Sequence, residues 1–190
     1  MKGPGAIGEA KQAARKAAFV RRKEAHDPAR GAKACAHLLK FMDAHVGRPV
    51  SGYMPIRTEA DPLSAMTEIA KYAPVGVPVI QGPGQPLLFH RWEPGCAMKE
   101  GPFGAMVPVK QTPVVPEIII LPLVAFTSDG YRLGYGGGFY DRTLEGLRAR
   151  GPVVAVGFAY AAQEAENLPL EPTDQPLDAI VTEAGVRLFR

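Results

Sequence analysis

The chain has 190 residues, enough to bury a core without disulfides or a structural metal. Hydrophobic residues make up 46% and charged residues 22%, the balance of a globular protein rather than a disordered or fibrous one. A net charge of +3 is too small to argue for nucleic acid, and no apolar run approaches the roughly 20 residues of a membrane span. The two cysteines, Cys35 and Cys96, form no CxxC unit, and no secretory signal is visible. A single domain over 1–190, monomeric and cytoplasmic, is the expectation.

Residues 6–25 read as a basic, alanine-rich helix. Lys11, Arg15, Lys16, Arg21, Arg22 and Lys23 crowd into it, either as a solvated face or as a cationic lip over an anionic ligand. Asp27-Pro28 is a helix-start signal, and a second helix is expected over 29–46. A short strand over 50–54 follows, then a second Asp-Pro start at Asp61-Pro62 and a helix over 63–72. Residues 77–80 and 87–92 read as strands around Gly82-Pro83-Gly84, a hairpin-like turn. The stretch 93–116 is rich in Pro and Gly and reads as one long loop, of the kind that tends to be functional.

The apolar run Ile118-Ile119-Ile120-Leu121 marks a buried strand over 117–123. Directly after it the reading places a glycine-rich loop, then a helix over 139–149, a buried strand over 153–157, and closing strands over 179–181 and 186–189. Strands alternating with helices predict a mostly parallel α/β sheet covered on both faces.

The glycine-rich loop is RLGYGGGFYD, Arg132 to Asp141. Gly134, Gly136, Gly137 and Gly138 offer backbone amides with no Cβ in the way, and the helix beginning near Phe139 aims its positive end at the same place. Arg132 adds a charge able to pair two phosphate oxygens. The pattern fits neither GxxxxGK[ST] nor GxGxxG. A bare strand–helix turn does not need four glycines within five residues. The loop is therefore read as a phosphate cradle that is not a Walker loop. Asp141 falls in the first helical turn, where it either serves the helix dipole or holds Mg²⁺ beside the phosphates. A second carboxylate would then converge on it, and Asp178, just before an apolar strand, is the candidate. Glu59 lies on another strand-to-helix loop, either as a cap or as a ligand-binding acid. Phe103 lies where it can cover a flat ligand. The four histidines show no metal-ligand spacing.

These residues resemble the 5-formyltetrahydrofolate cyclo-ligase (5,10-methenyltetrahydrofolate synthetase) family. The strongest match is LPLVAF (121–126) followed by GYRLGYGGGFYDR (130–142). Lys11 and Arg15, Tyr53-x-Pro55 with Glu59, Pro102-Phe103-Gly104, Val156-Gly157 and Pro176-Leu177-Asp178 support it in the same order. The resemblance implies a three-layer α/β/α sandwich similar to the sugar-phosphate isomerase and CoA-transferase group. It implies ATP- and Mg²⁺-dependent closure of 5-formyltetrahydrofolate to 5,10-methenyltetrahydrofolate, releasing ADP and phosphate. By position, Lys11, Arg15, Arg132, Leu133, Gly134, Tyr135, Gly136, Gly137, Gly138, Phe139 and Tyr140 would hold ATP. Asp141 and Asp178 would hold Mg²⁺, Met54, Glu59 and Phe103 would contact folate, and Arg132 and Asp141 would act in catalysis. Two departures from the family pattern fall near the folate side: Ala105-Met106-Val107 ahead of Pro108, and Pro62 where threonine is common. Two other readings remain at this point. One is an ATP-independent sugar-phosphate or acyl-CoA site on the same fold. The other is a non-catalytic RNA-binding relative, supported only by the basic first helix, so no nucleic-acid partner is expected.

Overall fold

The computed structural model describes residues 5–189; residues 1–4 and 190 of the expected domain lie outside the described residues. In chain order, α1 (Ala6–Ala25) and α2 (Pro28–Met42) precede β1 (Val50–Ser51), α3 (Leu63–Ile69) and β2 (Val75–Val79). Then come β3 (Leu88–Arg91), β4 (Met98–Glu100), β5 (Met106–Pro108), β6 (Ile118–Pro122), β7 (Ala125–Phe126) and β8 (Arg132–Leu133). The chain closes with α4 (Phe139–Arg148), β9 (Val154–Phe158), β10 (Ala179–Thr182) and β11 (Gly185–Leu188). Asp27 starts α2 as its chemistry predicts, its carboxylate accepting from Ala29 N at 2.6 Å and Arg30 N at 3.1 Å. The helix ends at Met42, short of the expected 46, and tightens into a 3₁₀ turn over Asp43–His45.

The main sheet runs β11-β10-β9-β6-β1-β2-β3. Its five inner strands are parallel, and β11 and β3 close the two edges antiparallel. Side chains alternate across it, as the period of two requires. Ile118, Ile120, Val156 and Phe158 pack against Leu38 and Met42 of α2 and Met66 and Ile69 of α3. Ile119, Leu121, Ala155 and Ile180 pack against Leu144 of α4 on the other face. This is the expected three-layer α/β/α arrangement. Both faces of β6 are covered, which is why it reads as an unbroken apolar run. A third cluster lays Ala18 of α1 against Val124, Ala125 and Leu133, beside the glycine loop.

Three expectations need correcting. Residues 93–116 are not one loop: β4 and β5 pair antiparallel, Met98 opposite Pro108, with Phe103 and Gly104 at positive φ in the turn. Three-residue strands are too short for alternation to show through so much Pro and Gly. The glycine loop does not follow β6 directly. The β7–β8 hairpin intervenes, its turn helped by Gly130 at φ +88°. The strand expected over 50–54 keeps only Val50–Ser51; the next residue, Gly52, lies close against α3, where a Cβ would sit 2.4 Å from Met66 Sδ.

Gly157 of β9 sits where the sheet and its covering side chains come close together. A Cβ there would lie 2.7 Å from Ile180 Cδ1 and 2.8 Å from Leu123 Cδ2 and Leu177 Cδ1. Gly157→Ala is expected to lower stability in urea unfolding by about 1–3 kcal/mol through overpacking. An unchanged midpoint would show that these side chains have room to move.

Candidate active site

The glycine loop leaves β8 at Leu133 and enters α4 at Phe139, beyond the carboxyl ends of the parallel strands, where open α/β sheets take their ligands. Gly138 is the N-cap of α4 at φ +63°, a conformation that favours glycine. Gly136 has φ +102°, and a Cβ on it would meet the Arg15 guanidinium at 3.1 Å. At Gly137 a Cβ would fall 2.6 Å from the Phe139 ring. At Gly136 and Gly138 the positive φ, and at Gly137 the Phe139 ring, disfavour any side chain, whereas Gly134 has open space around it.

Helix α1 lies along the loop. Arg15 Nε donates to the Gly134 carbonyl at 2.8 Å. One turn earlier, Lys11 Nζ lies 2.7 Å from Glu171 Oε2 and 2.8 Å from Asp174 Oδ2. Burial alone would pull this ammonium down, but the two carboxylates lift its pKa above the ordinary lysine value.

Arg132 takes a different position from the one its sequence suggests. It is buried, with Nη2 2.8 Å from Asp141 Oδ1 and Nη1 donating to the Gln175 carbonyl. Its guanidinium is turned to protein partners rather than left as a clamp for two phosphate oxygens. Burial draws its pKa down, and Asp141 opposes that. Asp141 Oδ1 also accepts from Gln175 N at 2.9 Å, so Oδ2 is the oxygen available to a cation.

One cleft of about 840 Å³ gathers most of the expected site. Its lining includes Lys11, Arg15, Met54, Glu59, Phe103 and every residue from Arg132 to Asp141. Such a volume suits small-molecule ligands. Phe103 stands 79% exposed at the β4–β5 turn, its ring 6.4 Å from that of Phe139. Asp178 is the expected site residue that does not line the cleft. Its Oδ2 accepts from Arg148 Nη2 at 2.9 Å and Ala155 N at 2.7 Å. Among the described residues no group of three or more His, Cys, Asp or Glu is placed to hold a metal ion. No described helix is long and apolar enough to cross a membrane.

Glu59 is buried, its Oε2 accepting from Ile56 N at 2.8 Å. Burial raises its carboxyl pKa, and that amide followed by Arg22 works against the rise. The Tyr135 phenol, itself affected by burial and by Glu59, is pushed up to about 12. Sequence reasoning singled out neither Glu171 nor Asp174, and it left Arg22 in a charge run read either as a solvated face or as a cationic lip. Yet Lys11, Ala18, Arg22 and Ala25 are the buried positions of α1. Their spacing of seven, four and three marks one inward stripe.

The fold and cleft define a class: a mostly parallel α/β sheet covered on both faces, with a glycine-rich strand-to-helix loop lining a cleft of small-molecule size. Within that class, the sequence profile of the 5-formyltetrahydrofolate cyclo-ligase family matches residues 7–183, and the chain belongs to this family. It is 46% identical over 96 residues to the 5-formyltetrahydrofolate cyclo-ligase of Haemophilus influenzae, an alignment covering 48% of this chain and about half (51%) of that relative's length. With the 5-formyltetrahydrofolate cyclo-ligase of Mycolicibacterium smegmatis it shares 30% identity over 148 residues, 72% of this chain and 74% of the relative. The solved 5,10-methenyltetrahydrofolate synthetase of Aquifex aeolicus superposes with a TM-score of 0.76 at 32% identity, covering 95% of this chain and 93% of that one.

The raised pKa of Glu59 has a consequence for stability. Below the ordinary value of 4.5 the carboxyl is protonated in both folded and unfolded chains. As pH rises through that value the unfolded chain releases its proton first, and the folded state loses stability relative to it. Glu59→Gln is expected to melt above the parent chain near neutral pH, with the difference closing below about pH 4.5. A variant that melts lower at neutral pH would show the carboxylate to be stabilising.

Proposed function

We propose that this chain catalyses the ATP-dependent closure of 5-formyltetrahydrofolate to 5,10-methenyltetrahydrofolate, releasing ADP and phosphate. The observation that carries the reading is that one cleft is lined both by the glycine loop and by a second wall of Met54, Glu59 and Phe103. A nucleotide and a flat, polar-edged ligand can therefore meet in it.

The chemical difficulty is the leaving group, since a formamide oxygen does not depart as oxide. In the proposed course the formyl oxygen attacks the γ-phosphorus and the bond to ADP breaks, leaving an imino-phosphate. The folate N10 lone pair then attacks the formyl carbon, the carbon–oxygen bond breaks, phosphate leaves, and N10 gives up its proton. Phosphoryl transfer of this kind relies on positioning and charge neutralisation.

The chain's residues divide that work. The amides of Gly134 to Gly138 and Arg15 hold phosphate oxygens, with the α4 N-terminus behind them. Lys11 reaches the nucleotide from the same face of α1. Arg132 acts by holding Asp141 in place. Leu133, Tyr135, Phe139 and Tyr140 shape the cradle's walls. Glu59 accepts from pterin N–H groups while Met54 and Phe103 cover the ring. Mg²⁺ is compatible with this donor set, because it takes one or two carboxylates together with substrate phosphates. Asp141 would hold it, and the ion would neutralise charge on the phosphates. Asp178 is given a bracing role through Arg148 rather than a ligand's place.

The decisive measurement is growth of the methenyl product's absorbance from 5-formyltetrahydrofolate, ATP and Mg²⁺. Product dependent on all three is expected, and none would reject the reading. Asp141→Asn is expected to reduce turnover to background, and parent-like activity would remove it from the reaction. Gly137→Val is expected to weaken ATP binding in calorimetry by about tenfold or more, equivalent to roughly 1.4 kcal/mol. Unchanged affinity would argue against the cradle.

A further inference from the structure

Arg22 is the most buried charged side chain of α1, 1% exposed, and it does not line the cleft. Its Nε donates to Thr58 Oγ1 at 3.1 Å, in the turn that presents Glu59. Its guanidinium carbon lies 5.2 Å from the centre of the Phe19 ring and 5.5 Å from that of Tyr135, while those rings sit 5.6 Å apart. Its Nη1 is buried without a hydrogen-bond partner. An arginine head held this way is a poor source of stability, since removing such a charge in favour of an apolar side chain is often neutral or better. What it does provide is a connection. Thr58 belongs to the segment reaching from β1 towards the folate side, and Tyr135 to the glycine loop. The Tyr135 phenol also meets the Glu59 carboxyl directly, and a planar cation can stack on one segment while hydrogen-bonding the other.

We propose that Arg22 is a positioning residue that ties Tyr135 of the glycine loop to the Thr58–Glu59 turn, so that the nucleotide side and the folate side of the cleft keep one mutual geometry. This rests on the cyclisation reading given above. Arg22 touches neither substrate. Its effect is exerted through Glu59 and Tyr135, both of which line the cleft. Both also feel its charge, which draws the pKa of the Glu59 carboxyl down against the effect of burial and that of the Tyr135 phenol down against burial and Glu59.

The test compares Arg22→Met, Arg22→Lys, Tyr135→Leu and the Arg22→Met/Tyr135→Leu double variant in the methenyl-absorbance assay, with thermal melts alongside. Arg22→Met is expected to melt no lower than the parent while KM for 5-formyltetrahydrofolate rises about tenfold and kcat falls less. Arg22→Lys, which keeps the charge and loses the planar stack, is expected to recover part of that rise. Tyr135→Leu is expected to raise the same KM, and the double variant to rise little beyond the larger single effect, because both changes break one link. A KM within about twofold of the parent in Arg22→Met, or single effects that multiply in the double variant, would overturn the proposal. If Arg22→Met does not fold, the same cycle run with Arg22→Lys decides, and multiplying effects there overturn it equally. The parent chain separates the two readings. If it makes no methenyl product, the cyclisation reading fails and this one with it. If it makes product and the variants behave independently, only the role of Arg22 fails.

Discussion

One ion pair closes the base of the glycine loop. Arg132, at the start of β8, and Asp141, in the first turn of α4, meet at 2.8 Å across a nine-residue separation, with the bare glycine backbone arched between them. Arg132 is buried, so the pair has little competition from water, and Gln175 joins it from outside with its carbonyl on the arginine and its N–H on the aspartate. Leu133, Tyr135 and Phe139 pack the loop's flanks, but the glycines between them have no side chains to fix their course. The loop takes its shape from the closure beneath it, from Arg15 on the Gly134 carbonyl and from Arg142 on the Gly137 carbonyl.

The same logic extends along residues 171–178. Glu171 and Asp174 hold Lys11, Gln175 holds the Arg132–Asp141 pair, and Asp178 holds Arg148 of α4 and the start of β9. A short strap without regular structure thereby fixes α1, the loop and α4 in one frame. The opposite wall is built differently. Glu59 is buried beside few charges, and its raised pKa marks it as a group kept at some expense to stability.

Much of this was legible in the sequence for identifiable reasons. Ile118 to Leu121 reads as a strand covered on both faces, Asp27-Pro28 as a helix start and Gly134 to Gly138 as a strand-to-helix loop, and the structure has all three. What the sequence withheld was direction. Nothing local says that Arg132 turns to Asp141, or that Asp178 turns to Arg148, 30 residues away, because each orientation is decided by a partner that the fold delivers. Arg22 was hidden for the opposite reason: it stands in a run of like charges whose commonest fate is solvent, and only its seven-residue offset from Arg15 separates it from Arg21 and Lys23. The β4–β5 hairpin escaped because strands of three residues carry almost no periodic signal.

The Lys11 cluster gives the cleft an electrostatic character that a count of its basic residues conceals. Lys11 and Arg132 carry their counter-charges with them, in Glu171, Asp174 and Asp141. The field reaching into solvent is therefore that of a nearly neutral mouth, and it exerts little pull on a distant anion. An anionic ligand that engages Lys11 does so by exchange, taking the place of carboxylates already there. Its selectivity is then set at contact, by how well it replaces those oxygens, and encounter is governed by diffusion more than by attraction from afar.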